Sequence, residues 1–207
     1  MKTSRAKGFT LIETMLALMI GGLLLGLAIP NMIQFSRNNR LSSGSNDILR
    51  SLQVARVEAI KRQLVVPQSI ILCASTAPLN AAPTCGGAGT PFRGWFSFHD
   101  ANGDWQYNAG ETLVEQHDLM DVALNVRTSN GSIVSFTVTG FVTPSGPAGQ
   151  VPTDTIILCD ARGNTAIGTT DSTARALMID RTGRSHVTRT KSVITDLITA
   201  NAALACP

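Results

Sequence analysis

The sequence has no CxxC pair, no G-x-S-x-G elbow and no A-x-A cleavage pattern after its first apolar stretch. The first absence argues against a zinc ribbon or a thioredoxin-like redox site. The second leaves no nucleophile beside a base, since the three histidines, His99, His117 and His186, sit in strand-like or turn contexts. The chain is therefore read as non-enzymatic and without a cofactor. The third argues against an ordinary secretory signal. Aromatic residues are scarce at 5%, charged ones reach only 15%, and no internal repeat marks a solenoid. With 43% hydrophobic positions among 207, the chain can build one sizeable core plus a membrane element, and not two domains.

Net charge excludes little, because Lys2, Arg5 and Lys7 supply the whole formal excess of +3. Local charge is more one-sided. Residues 37–62 carry six basic side chains against Asp47 and Glu58, and residues 175–191 carry five against Asp180. Residues 100–121 carry six acids and neither Lys nor Arg. Such blocks are solvated faces or docking surfaces.

The chain opens MKTSRAKGFTLIETMLALMIGGLLLGLAIP, and from Phe9 to Ile29 there are 21 residues with a single charge, Glu13. As a helix this is about 31 Å at ~1.5 Å per residue, enough to cross the hydrocarbon layer. Basic residues ahead of it stay cytoplasmic, so the bulk of the chain is delivered outward. A carboxylate inside such a helix costs about 2.5 to 3.5 kcal/mol and needs a partner or a function. Gly21, Gly22 and Pro30 mark a weak portion of the helix, in keeping with ordinary membrane-helix usage.

Four cysteines, Cys73, Cys85, Cys159 and Cys206, follow the apolar run; their even number points to two disulfides in an oxidising compartment. Three connectivities are open. The short loop favours Cys73 with Cys85, which leaves Cys159 with Cys206 to pin the C-terminus.

Beyond Pro30, Leu41, Ile48, Leu52, Ala55 and Ala59 recur at helical spacing among basic residues, predicting an amphipathic continuation over 30–62. After Pro67 the pattern becomes β-rich runs between turn residues: QSIILCAS, RGWFSFHD, TLVEQHDL, VALNVRT, SIVSFTVTGFVT, DTIILCD, ARALMID and SHVTRTK. Residues 77–92 and 144–154 read as loops. The expected class is α+β, a long N-terminal helix packed on an antiparallel β-rich domain over 63–207.

KGFTLIETMLALMIGGLLLGLAIP resembles the N-terminus of type IV pilins and type II secretion pseudopilins. The resemblance implies a leader over 1–8, cleavage by a prepilin peptidase between Gly8 and Phe9, and N-methylation of Phe9. It also implies that Glu13 neutralises the terminal amine of a neighbouring subunit as each protomer joins the filament. FHDANGDWQYNAGE, SFTVTGFVTPSG, TIILCDARG and ARALMIDRTGR are similar to successive segments of minor pilins of the GspH/FimT type. That similarity implies a pilin fold, with residues 9–29 forming the transmembrane and filament-core helix. It implies an inner-membrane protein with a periplasmic domain before assembly, and a pilus subunit afterwards. The partners implied are other minor pilins, the major pilin and an inner-membrane assembly platform, with roles in pilus initiation and at the tip. Pseudopilin H of a type II secretion system is the alternative.

Two constellations remain. RALMIDRTGRSHVTRTK predicts a hairpin turning near Thr182 and Gly183 that clusters Arg181, Arg184, His186, Arg189 and Lys191, cations suited to phosphate. Some FimT-type members bind DNA for natural transformation through a G-R-x-R turn. Gly183 and Arg184 match it, and His186 stands in place of the second arginine, a part-time cation at neutral pH. DANGDWQYNAGE places Asp100, Asn102, Asp104, Gln106, Asn108 and Glu111 in an EF-hand-like register. Trp105 occupies the position where that loop wants glycine and no helices flank it, so the stretch is read as a polar hairpin loop without metal.

Overall fold

A computed structural model of the protein describes residues 8–63, 65–87, 90–147 and 150–206. The chain divides into two compact units, residues up to Asn39 and residues from Arg40 onward. One helix, α1 (Leu11–Arg62), runs through the boundary and contains Pro30. Among the described side chains of the first unit, the large apolar ones of α1 are exposed. The 18-residue apolar window of α1 is long enough to cross a membrane, with none of it buried. In the second unit α1 buries Leu41, Ile48, Leu52, Ala55 and Ala59, the stripe expected from their spacing.

The second unit is α+β, with two antiparallel sheets. The first has the order β3 (Thr112–His117), β2 (Trp95–Asp100), β1 (Ser69–Ala74), β5 (Ile133–Phe136). The second has the order β4 (Asn125–Thr128), β6 (Thr155–Cys159), β8 (Asp171–Ile179), with β7 (Ala166–Ile167) and β9 (Ser185–Thr190) both on β8. All their pairings are antiparallel.

Each sheet contains a strand with the residues Ile-Ile-Leu-Cys, and strand alternation divides them between two layers. Ile70 and Leu72 of β1, with Ile156 and Leu158 of β6, join the α1 stripe, Trp95 and Phe136 in the central core. Ile71 and Cys73 face the other way, against Phe96, Phe98 and Trp105. Ile157 and Cys159 likewise pack with Ile194 and Leu204. Covering both faces explains why these strands read as unbroken apolar runs rather than alternating ones. Cys73 is bonded to Cys85 and Cys159 to Cys206, so each outer layer is tied to the inner strand of its sheet.

Four segments differ from the sequence reading. Residues 137–143 do not continue β5. Gly140, at φ 74°, closes a turn in which the N–H groups of Thr137 and Gly140 bond Phe141 and Thr137 carbonyls. Residues 191–200 form α2 (Lys191–Ala200), which buries Ile194 against the second sheet. β7 is a further short strand at that sheet's margin, and β4 is shorter than the VALNVRT run.

Candidate functional site

The N-terminal site begins at the helix start. Phe9 is 82% exposed and precedes Thr10, whose N–H lies 3.5 Å from the Glu13 carboxylate, while the Glu13 N–H donates to the Thr10 hydroxyl at 3.3 Å. This reciprocal pair is a capping box, which satisfies two otherwise orphaned donors. The T-x-x-E spacing carried that signal, and sequence reasoning spent Glu13 entirely on assembly instead. Lys2, Arg5 and Lys7 lie outside the described residues, as does most of the segment 1–8 expected as a leader.

The basic turn sits between β8 and β9. Gly183 has φ 74°, and Asp180 accepts from the Thr182 hydroxyl and from the Arg184 N–H. Those bonds, the Thr182 hydroxyl foremost, hold the Asp180 carboxyl below its usual value. The turn lies directly on the 137–143 turn: the Val142 N–H donates to the Arg181 carbonyl, and a Cβ on Gly183 would collide with the Gly140 carbonyl. Arg56 of α1 locks the two together, Nε to the Gly140 carbonyl at 3.1 Å and Nη2 to the Thr182 carbonyl at 3.0 Å.

The five cations expected to cluster here are divided by the strand. Arg181, Arg184 and His186 are exposed at or near the turn. Arg189 is five residues along β9, about 16 Å at ~3.3 Å per residue. There Arg189 pairs with Asp171 at 2.9 Å, and Lys191 donates to the Asn164 carbonyl at 2.6 Å. A bulge explains the far end. Between the pairs Asp171↔Thr190 and Ala176↔Thr188, β8 contributes four residues and β9 only Arg189. Arg175 is buried in that bulge and donates to the carbonyls of Ser172, Thr173 and Ala174. Desolvation, and then the nearby Arg189 charge, lower its pKa, and its burial keeps it from acting as a surface cation.

The acidic loop is organised around its own backbone. Asp100 accepts from the Gly103 and Trp105 N–H groups, Asp104 from Gln106, and Glu111 from Ala101 and Asn108. Trp105 adopts φ 62°, the left-handed turn that made glycine the expected residue. Burial raises the Asp100 carboxyl. Desolvation also pushes Asp104 up, but bonds from Gln106, Asn108 and Asn102 outweigh it and hold that group low. Among the described residues no three His, Cys, Asp or Glu side chains converge as a metal-holding group. His117 stacks on Trp95 with ring centroids 3.9 Å apart, far in chain position from His99 and His186.

Residues 44–183 match the family described as type II transport protein GspH, and residues 3–29 match the prokaryotic N-terminal methylation motif. The chain belongs to the GspH family. Its members are structural subunits and not enzymes. The chain is also similar to two crystal structures of the type IV minor pilin FimU of Pseudomonas aeruginosa, strain PAO1. Identity is 20% in each case, with TM-scores of 0.46 and 0.44. The alignments cover 76% and 73% of this chain, and 94% of each FimU chain. No curated protein matches. The GspH match takes in the packed half of α1, most of the two sheets and the turn up to Gly183; β9 and α2 lie beyond it.

Proposed function

We propose that this GspH-family chain is a minor pilin of a type IV pilus, made as a prepilin and assembled from the inner membrane. The observation that carries the reading is a methylation motif at residues 3–29 leading into a helix whose apolar side chains the chain itself leaves uncovered. In this reading the prepilin peptidase cuts between Gly8 and Phe9 and methylates Phe9. Residues 9–29 anchor the chain, with the domain in the periplasm, until an assembly platform inserts it beside other minor pilins and the major pilin. The chain acts in initiation and stays at the tip. The new amine at Phe9 lies one residue before the capping box, and Glu13 exchanges its cap for the amine of a neighbouring subunit. That pairing offsets a carboxylate burial of about 2.5 to 3.5 kcal/mol.

Glu13→Ala tests this. The variant is expected to be cleaved and retained in the membrane, and to be missing from sheared filaments by immunoblot; normal incorporation would remove the charge-pairing account. The family's description favours a second reading, a type II secretion pseudopilin H. Rescue of pili but not of secretion in a strain lacking this chain separates the two.

DNA binding for natural transformation is the finer part of the proposal. Its support is that Arg181 and Arg184 are exposed beside His186 and that, among the described residues, neither guanidinium forms an ion pair within 4.0 Å. Arg189 and Lys191 contribute only long-range charge, given their own partners. Binding through phosphates falls steeply with salt, and Arg184→Ala should lower both the affinity and the salt slope. Strengthening from pH 8 to pH 6 assigns a role to His186.

A further inference from the structure

The free edge of the second sheet borders a groove that neither the processing motif nor the basic turn uses. β4 is the terminal strand of that sheet. Just past its end, the Ser129 N–H donates to the Thr155 carbonyl. In an antiparallel ladder the bonded pairs alternate, so residues 125 and 127 also spend their backbone groups on β6. Val126 and Thr128 turn theirs outward. A cavity of about 470 Å³ lies along this edge, lined by Pro91, Arg93, Val122, Arg127, Asn130 and Ala203, among others.

Its charge is uncompensated. Among the described residues, neither Arg93 nor Arg127 has a carboxylate within 4.0 Å. Arg93 donates from Nη2 to the Met120 carbonyl at 3.3 Å, while its Nε is buried and has no acceptor. Val122, 84% exposed, adds an apolar contact at the rim.

We propose that this groove binds an extended acidic segment of a partner protein, added as a strand beside β4. The outward groups of Val126 and Thr128 supply strand pairing, and alternate carboxylates on the segment meet the guanidinium groups of Arg127 and Arg93, both of which line the groove. The free edge offers carbonyls as well as N–H groups, which suits a peptide and repels a phosphate backbone. The site stands apart from the basic turn and does not depend on DNA binding there.

The test uses the full chain in detergent micelles and labelled, end-blocked peptides alternating Glu with Val or Lys with Val, read by fluorescence anisotropy. The Glu peptide is expected to bind and the Lys peptide not to. Arg127→Glu, an exposed position whose fold is checked by circular dichroism, should weaken binding by about tenfold or more. N-methylation of alternate amides on one edge of the Glu peptide should abolish it. Equal binding of both peptides, no binding of either, or indifference to Arg127→Glu or to N-methylation overturns the proposal. Self-association abolished by Arg127→Glu without peptide capture assigns the groove to a second copy and also overturns it. So does capture of an oligonucleotide that Arg127→Glu removes and Arg184→Ala does not.

Discussion

The two halves of α1 share one helix and differ in what covers them. Between residues 11 and 39 apolar side chains occur all round the axis, and Leu16 remains 57% exposed. Between residues 40 and 62 the buried ones form one stripe, in which Leu52 is 1% exposed, and only Val57 and Ile60 stand exposed outside it. Helix propensity cannot account for this, because both halves are helical. The stripe is satisfied by the chain's own sheets, whereas an all-round apolar surface needs lipid or other subunits. The first half is thus built for surroundings that the chain alone does not supply, and the second for the chain itself.

The sharpest way to break that contrast is to truncate one leucine in each half. Leu52→Ala should lose about 2 to 5 kcal/mol of domain stability by urea unfolding in micelles, while Leu16→Ala should change it by less than about 0.5. Similar losses from both would mean that the bare half is part of the domain's core. Removing Cys159 and Cys206 together by serine substitution should cost about 2 to 4 kcal/mol, and leave the helicity of residues 11–39 unchanged by circular dichroism. Arg56→Met leaves the Gly140 and Thr182 carbonyls without their donor and should cost about 1 to 3 kcal/mol, with the loss of order confined to the two turns by hydrogen exchange.

The smallest effect is at Glu58. The hydrogen bond from Arg62 is the main reason its carboxyl titrates below the usual value. A carboxyl depressed in the folded state stabilises fully above its ordinary titration range. That contribution is lost as the pH falls through the folded pKa. Glu58→Gln should flatten this acid limb by less than about 0.5 kcal/mol, since the pair is partly exposed and screened.

Much of the fold was legible because periodicity reports burial. The stripe from Leu41 to Ala59 pointed to its packing on the β domain, and the two Ile-Ile-Leu-Cys runs were readable as strands, while the layers they divide were not. The 137–143 turn was not legible, since Val138, Phe141 and Val142 prolong an apolar run and only the positive φ of Gly140 ends it. α2 was overshadowed by the Thr-rich strand before it, although Val193, Ile194, Leu197 and Ile198 have helical spacing. Within the candidate site, residue types were readable and distances were not. Arg184 and Arg189 are near in sequence, but strand rise and the bulge around Arg175 place them at opposite ends of β9. The groove beside β4 left no motif, because an unpaired strand edge is a property of sheet order.

The tied outer layers also matter to a chain under tension. A force transmitted through α1 arrives at the buried stripe, and from there the polypeptide can lengthen only between cross-links. The disulfides enclose sequence separations of 12 and 47 residues. At ~3.4 Å per residue they withhold about 40 Å and about 160 Å of contour from extension. Pulled oxidised, the domain yields a tether shorter by those two loops and keeps its C-terminal layer attached to β6; pulled reduced, it extends to the full length.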